Sequence, residues 1–265
     1  MELGGSTMWK WEVEQPRAVI VIVHGAGEHH GRYKWLAKKW NELGCNVIMG
    51  DLPGQGKTRG KRGHIQSFSQ YVDTVVSWYN ESMKYDVPIF LLGHSMGGLV
   101  TIRTVLSTRI HVQGIILSSP CLGLANPPSK SKQLLAKTFH RITPQMLAKS
   151  GGDSRYGTRN EEIREAYVKD ELRVTKVSLR WYQELQKAIR KSMEEAESFP
   201  NIPLLVLQAG EDYIVSKYAV QKWFDSISIQ EKTYKEWEGL YHEVFNEPER
   251  GDVFLYASQF VNLHL

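Results

Sequence analysis

Short, unbroken apolar runs recur along the chain and alternate with segments whose apolar residues fall three or four positions apart. The runs, bounded by Gly, Pro or Asp, read as strands buried on both faces, and the spaced segments read as helices packed over them. Strands are expected near 18–24, 46–50, 88–93, 113–118, 202–208 and 231–238, and helices near 31–43, 67–84, 96–108, 216–227 and 249–262. In the last helix Val253, Phe254, Ala257, Phe260 and Val261 fall on one face, a core stripe. Strand and helix in alternation predict an α/β fold with a mostly parallel central sheet flanked by helices.

The rhythm breaks between Cys121 and Phe199, where far more chain intervenes than a strand crossover needs. The expected organisation is one core, 8–120 and 200–265, with a helical cap (lid) inserted at 121–199 between two core strands. Cap helices are read from Glu161 to Val168 and from Val177 to Ile189. In the second, Leu179, Tyr182, Leu185 and Ile189 share a face that is expected to pack on the core rather than line an acyl tunnel.

Net charge is only +4, yet it is unevenly placed. Residues 121 to 160 hold Lys130, Lys132, Lys137, Arg141, Lys149, Arg155 and Arg159 against the single acid Asp153. A second basic run is Lys57, Arg59, Lys61 and Arg62. Such runs are ordinarily solvated faces; on a cap they could meet an anionic membrane or a phosphate headgroup. Without a recognition motif or a set of stacking aromatics, nucleic acid is not an expected partner.

The chemistry concentrates at Gly93-His94-Ser95-Met96-Gly97, directly after one apolar run and before a helical segment. This is G-x-S-x-G, in which a nucleophilic serine sits on a sharp strand-to-helix turn that needs small neighbours on both sides. The partners of such a serine follow in the chain order serine, acid, histidine. Of nine histidines, His242 and His264 lie downstream of a plausible acid, and His264 is one residue from the C-terminus, so His242 is the candidate base. Ala209-Gly210-Glu211-Asp212 ends the preceding strand, and the residues alone leave Glu211 and Asp212 both open as the acid. Asp225 and Asp252 fall inside helical patterns and read as solvated. The oxyanion hole should be two backbone N–H groups, that of Met96 after the serine and that of Ala26 in the loop after the run 19–23.

His24-Gly25-Ala26-Gly27-Glu28-His29 with Gly31-Arg32-Tyr33, Asp51-Leu52-Pro53-Gly54-Gln55-Gly56, and Gly93 to Gly98 together resemble the monoacylglycerol lipase and lysophospholipase family of α/β-hydrolases. The likeness runs from about Trp9 to the end and is greatest to its bacterial phospholipase-like branch. It implies an α/β-hydrolase fold, a serine esterase working through an acyl-enzyme on single-chain lipid esters, Ser95, Asp212 and His242 as triad, and Ala26 and Met96 as oxyanion donors. The chain departs from the family at Gly54-Gln55-Gly56, where Gly-His-Gly is usual, and at Lys169-Asp170-Glu171-Leu172, where Asp-Pro-Leu is common. A general carboxylesterase, or a serine peptidase or acyltransferase on the same triad, is the alternative within the enzyme class. A catalytically idle binding protein is the alternative outside it.

Other signals are set aside on physical grounds. Asp51 to Thr58 differs from a phosphate-binding loop at one position, but that loop must open directly into a helix, which Arg59 to His64 cannot start well. His24, His29 and His30 lack zinc-site spacing, so no metal and no cofactor is expected. Cys45 and Cys121 read as small core residues without a disulfide. With no signal pattern in Met1 to Thr7 and no run of membrane-spanning length, a cytoplasmic protein is expected, peripherally membrane-associated at most.

Overall fold

The computed structural model describes residues 8–149 and 154–265, without the side chains of 130, 132, 135–138 and 154. Expectations about the leading seven residues, Asp153 and the side chains of Lys130, Lys132 and Lys137 lie outside the described residues.

Seven strands form the central sheet: β1 (Met8–Trp11), β2 (Ala18–Val23), β3 (Cys45–Gly50), β4 (Ile89–His94), β5 (Gly114–Ser118), β8 (Leu204–Ala209) and β9 (Lys232–Trp237), in the order β1-β3-β2-β4-β5-β8-β9. All neighbours are parallel except β1, which runs antiparallel along β3 as an edge. Helices α1 (Lys34–Glu42), α2 (Ser69–Ser82), α3 (Met96–Ser107), α7 (Lys217–Ser226) and α8 (Arg250–Leu263) cover it.

Period-2 geometry sorts the core even though β2 is apolar throughout. Val19, Val21 and Val23 pack with α2 and α3 residues such as Trp78 and Leu99. Ile20 and Ile22 join Trp40 of α1 and Val253, Ala257 and Val261 of α8 on the other face. The stripe read in the last helix is therefore buried as expected. Asp225 and Asp252 are exposed on their helices.

Between β5 and β8 the chain forms α4 (Lys130–Ile142), β6 (Leu147–Lys149), α5 (Glu161–Lys169), β7 (Lys176–Ser178) and α6 (Leu179–Glu194), with β6 and β7 paired as an antiparallel ribbon. The sequence reading missed β1, α4 and the ribbon, and it started α6 too early because Val177 and Ser178 belong to β7. Ser178 caps α6, its hydroxyl accepting from the Trp181 N–H at 3.1 Å. The shared face of α6 serves both roles that were weighed: Leu185 is buried in the core while Leu179, Tyr182 and Leu185 also line a cavity. Packing alone was therefore too narrow a reading.

After Asp51 no helix begins until Ser69, which removes the structural requirement of a phosphate-binding loop. Cys45 and Cys121 are free, buried thiols.

Candidate active site

Parallel strands end on one side of the sheet, so loops distant in sequence converge there. Ser95 follows β4 with φ 54° and ψ −119°, a conformation costly for a residue with a side chain. The turn closes only because Gly97 has no Cβ: one placed there would stand 2.0 Å from the Val23 carbonyl oxygen. The backbone holds the bend as well, Ser95 N–H donating to Ser118 O and Cys121 N–H donating to Ser95 O, each at 2.9 Å.

His242 lies in the loop beyond β9, with Nε2 2.8 Å from Ser95 Oγ and Nδ1 2.9 Å from Asp212 Oδ2. An ionised carboxylate only accepts, so Nδ1 carries the proton and Nε2 is left to accept from the serine hydroxyl. Asp212 follows β8 and its side chain is fully buried. Its Oδ1 accepts from the N–H groups of Ile214 and Val215, at 3.0 and 2.8 Å, and its Oδ2 accepts from Gln208 Nε2 at 3.1 Å. Burial opposes its charge, but His242 and these N–H groups outweigh that and hold its carboxyl below the usual range. Burial likewise opposes a charged His242, and Asp212 overcomes it, with Glu243 and Glu28 adding, so its pKa lies above 6.5. Glu211, the other acid left open by the residues, instead accepts from the Tyr213 hydroxyl at 3.2 Å. His264 sits elsewhere, on Glu231 and the Phe260 carbonyl.

Met96 is the first residue of α3, where a backbone N–H has no partner within the helix and the helix dipole favours negative charge. Ala26 and Met96 line the same cavity as Ser95. That cavity measures about 670 Å³, within the range of small-molecule sites. Its wall includes Leu124, Val177, Leu179, Trp181, Leu185, Ile214 and Val215, with Asn126, Gln133, Lys149, Tyr156 and Tyr213 as polar members. Cys121 also reaches it, but burial pushes its thiol up to about 12, so it is no competing nucleophile.

Sequence reasoning did not single out the ionic network behind these groups. Glu28 accepts from Gly25 N–H at 2.8 Å, Tyr33 Oη at 2.7 Å and Arg32 Nη1 at 2.6 Å, and Arg32 Nη2 reaches Glu243 at 2.7 Å. Arg32 thus ties the Ala26 loop to the residue beside His242. Burial raises the cost of the Glu28 charge, yet Arg32, His94 and Tyr33 hold its carboxyl at about 2. Signals for this were present: Glu28 and Arg32 stand four apart inside a quoted motif, and Glu243 adjoins the base. Tyr167 of α5 lies between Arg32 and Arg173, 4.5 and 4.2 Å from their guanidinium carbons, carrying the network up into the 121–199 segment.

Both departures from the family pattern fall on the Ala26 loop. Gln55 Oε1 accepts the Gly27 N–H at 2.9 Å, and Asp170 Oδ2 is 2.7 Å from His29 Nε2. Ligand atoms of His29, His30 and Asp51 come within 4.8 Å of one another. They are engaged in hydrogen bonds, with His30 Nδ1 on Asp51 Oδ1 at 2.9 Å and Asp51 Oδ2 accepting the Lys57 N–H at 2.8 Å.

Residues 14–249 match the family described as serine aminopeptidase, S33. Phospholipase YtpA of Bacillus subtilis is 51% identical over 97% of this chain and 100% of its own. A monoglyceride lipase of Rattus norvegicus is 34% identical over 88% of this chain and 77% of its own. The crystal structure of a monoacylglycerol lipase from Paleococcus ferrophilus superposes with a TM-score of 0.87 at 32% identity, covering 97% of this chain and 98% of that one.

Proposed function

This chain belongs to the serine aminopeptidase, S33 family of α/β-hydrolases, and from that membership and the geometry of its cavity we propose that it is a serine ester hydrolase of single-chain lipids, monoacylglycerol or lysophospholipid. Ser95 Oγ attacks the ester carbonyl as His242 Nε2 takes its proton, and Asp212 stabilises the imidazolium. The N–H groups of Ala26 and Met96 receive the oxyanion. His242 then protonates the departing alcohol, and water, activated by the same imidazole, releases the fatty acid from the acyl-enzyme.

The observation that carries this reading is the 2.8 Å contact of His242 with Ser95 in the wall of a mostly apolar cavity. A peptidase selecting a free N-terminus would gain from a carboxylate facing the ammonium group; among the described residues lining the cavity there is none. The 121–199 segment acts as the cap of this site. Its Leu134, Phe139, Ile142, Met146 and Leu147 are exposed, and so is Arg141 in the same stretch, a composition suited to contact with an anionic membrane. Among the described residues no helix is long and apolar enough to cross a membrane, so that contact would be peripheral.

Fatty-acid release should be measured side by side from monoacylglycerols, lysophospholipids, diacylglycerols and diacyl phospholipids, together with an aminopeptide substrate and fluorophosphonate labelling. Single-chain lipids should be turned over fastest, and Ser95→Ala should abolish both turnover and label. Aminopeptide turnover exceeding ester turnover, or label retained in Ser95→Ala, would overturn the reading.

A further inference from the structure

The loop that carries His242 leaves β9 and has no regular structure until the short helical turn Val244–Asn246, after which α8 begins. Val244 and Phe245 anchor that turn in the core. Its polar groups are gripped by three successive residues of the 121–199 segment. The first N–H after His242, that of Glu243, donates to Gly157 O at 2.8 Å. Thr158 Oγ1 donates to Asn246 O at 2.9 Å. Arg159 donates from its backbone N–H to Glu247 Oε1 at 2.7 Å and from Nε to Oε2 at 2.5 Å, and its Nη2 reaches Glu249. The Glu247 side chain is fully buried, so pulling the loop away from Arg159 would strand a carboxylate without its partner.

The residue before this grip reaches the other side of the site. Tyr156 lines the cavity, and its ring centre lies 5.2 Å from that of Tyr213, the residue after Asp212. Residues 156–159 therefore touch both the loop of Asp212 and the loop of His242. The separation of those loops fixes the 2.9 Å contact of Nδ1 with Asp212 and the 2.8 Å contact of Nε2 with Ser95.

We propose that Thr158 and Arg159 are positioning residues, which hold the His242 imidazole within reach of Ser95 and Asp212 by fixing the backbone of 243–247. The inference rests on the serine esterase reading above. Among the described residues neither side chain is bonded to Ser95, Asp212 or His242, so any effect must pass through that backbone. A misplacement of about 1 Å at a reacting group can cost on the order of 10² in rate.

Arg159→Gln keeps the backbone bond to Glu247 and loses the guanidinium ones. On a soluble butyrate ester kcat should fall about tenfold or more with KM within about twofold, and fluorophosphonate labelling of Ser95 should slow in parallel. The pH profile separates displacement from a field effect. Asp212 is the principal group raising the His242 pKa, Glu243 and Glu28 add to it, and His94 packs against the ring. An imidazole drawn away from Asp212 loses that support, so the ionisation in kcat/KM should move down; removal of the Arg159 cation by itself would move it up. Arg159→Lys, which keeps the charge without the fork, should fall between. Thr158→Val should lower kcat and labelling by about three- to tenfold, and Thr158→Ser, which keeps the hydroxyl, should recover most of the loss. This second pair decides the matter where Arg159→Gln does not fold.

A lower denaturation midpoint with kcat, labelling rate and pH profile unchanged would make these contacts structural only, and a loss confined to KM would assign them to substrate binding. Either result overturns the proposal, as does an upward shift of the ionisation. Slower labelling in the variants of a protein whose wild type hydrolyses no ester would count against the esterase reading and leave the positioning role supported.

Discussion

Replacing Asp212 by Asn tests the His242 assignment with almost no change of shape. The amide cannot choose its orientation freely. Asp212 Oδ1 accepts two backbone N–H groups, from Ile214 and Val215, so in the variant that position must remain oxygen. The amide nitrogen then replaces Oδ2, facing His242 Nδ1 at what is now 2.9 Å and Gln208 Nε2 at 3.1 Å. Gln208 can turn its amide to bring its unpartnered Oε1 toward the new amide nitrogen only by giving up the bond its Nε2 donates to the Ala209 carbonyl at 3.1 Å. His242 must respond by accepting at Nδ1, which places its proton on Nε2 and aims it at Ser95, the tautomer that cannot take the serine proton. The lost carboxylate also removes the attraction for the imidazolium, about 4 kcal/mol at ~4 Å and an effective dielectric near 20. That alone is roughly 10³ in rate, and the wrong tautomer brings the total to about 10³–10⁴. The assay is kcat on a soluble ester near neutral pH, with circular dichroism confirming the fold. A variant within about tenfold of the wild type would refute the assignment of Asp212.

Ser95→Ala and His242→Ala should each lower kcat by roughly 10⁴–10⁶, and the double variant should be scarcely slower, since the residues act as one unit; additive losses would contradict this. The base must be neutral and its pKa is raised, so kcat/KM should climb through one ionisation lying above 6.5, and a profile already flat below that value would argue against His242. Glu28→Gln should destabilise the fold by roughly 3 kcal/mol by leaving Arg32 with one carboxylate fewer, read as a lower denaturation midpoint. Because the Glu28 carboxyl is depressed from 4.5 to about 2, its contribution is complete above the higher value and is lost as pH falls toward the lower, so the two midpoints should converge in acid. Gly97→Ala should prevent folding or abolish activity, since its Cβ would meet carbonyl oxygens at 2.0 and 2.6 Å. Gly60→Ala, at φ 101° but in open space, should cost only about 1–3 kcal/mol by thermal denaturation.

What the sequence disclosed and what it hid follow one physical division. The central strands were legible because each is a β-branched or leucine-rich run buried on both faces; the run read as 18–24 is Ala18–Val23 in the fold. β1 was not, because Met8–Trp11 is three half-buried residues and an exposed Lys10, whose identity as a strand comes from pairing with β3. The β6–β7 ribbon has the same origin: Leu147–Lys149 is exposed throughout and becomes a strand only against Lys176–Ser178. α4 has a clear amphipathic period, but several of its apolar residues face outward, among them Leu134 and Ile142 at 65% and 75% exposure. A pattern read as core packing has no purchase on a face that no core covers.

Within the site the division is between groups fixed by chain order and groups fixed by contact. Ser95, His242 and the pair Glu211/Asp212 could be named from one motif and an order of appearance, and the structure brings Ser95, Asp212 and His242 into contact. Arg32 could not, because its meaning lies in joining Glu28 to Glu243, 215 residues apart by their numbers, and only the fold supplies that adjacency. Gln55 and Asp170 make the same point more sharply. In the sequence they are only departures from a family pattern, yet one accepts the N–H beside Ala26 and the other holds His29 in the same loop. An oxyanion donor is a backbone group with no side chain of its own to vary, so its position is set by whatever grips the loop around it. If Ala26 is such a donor, as proposed, substitutions at 55 and 170 should change the rate on a soluble ester while the contacts of Ser95, Asp212 and His242 stay as they are.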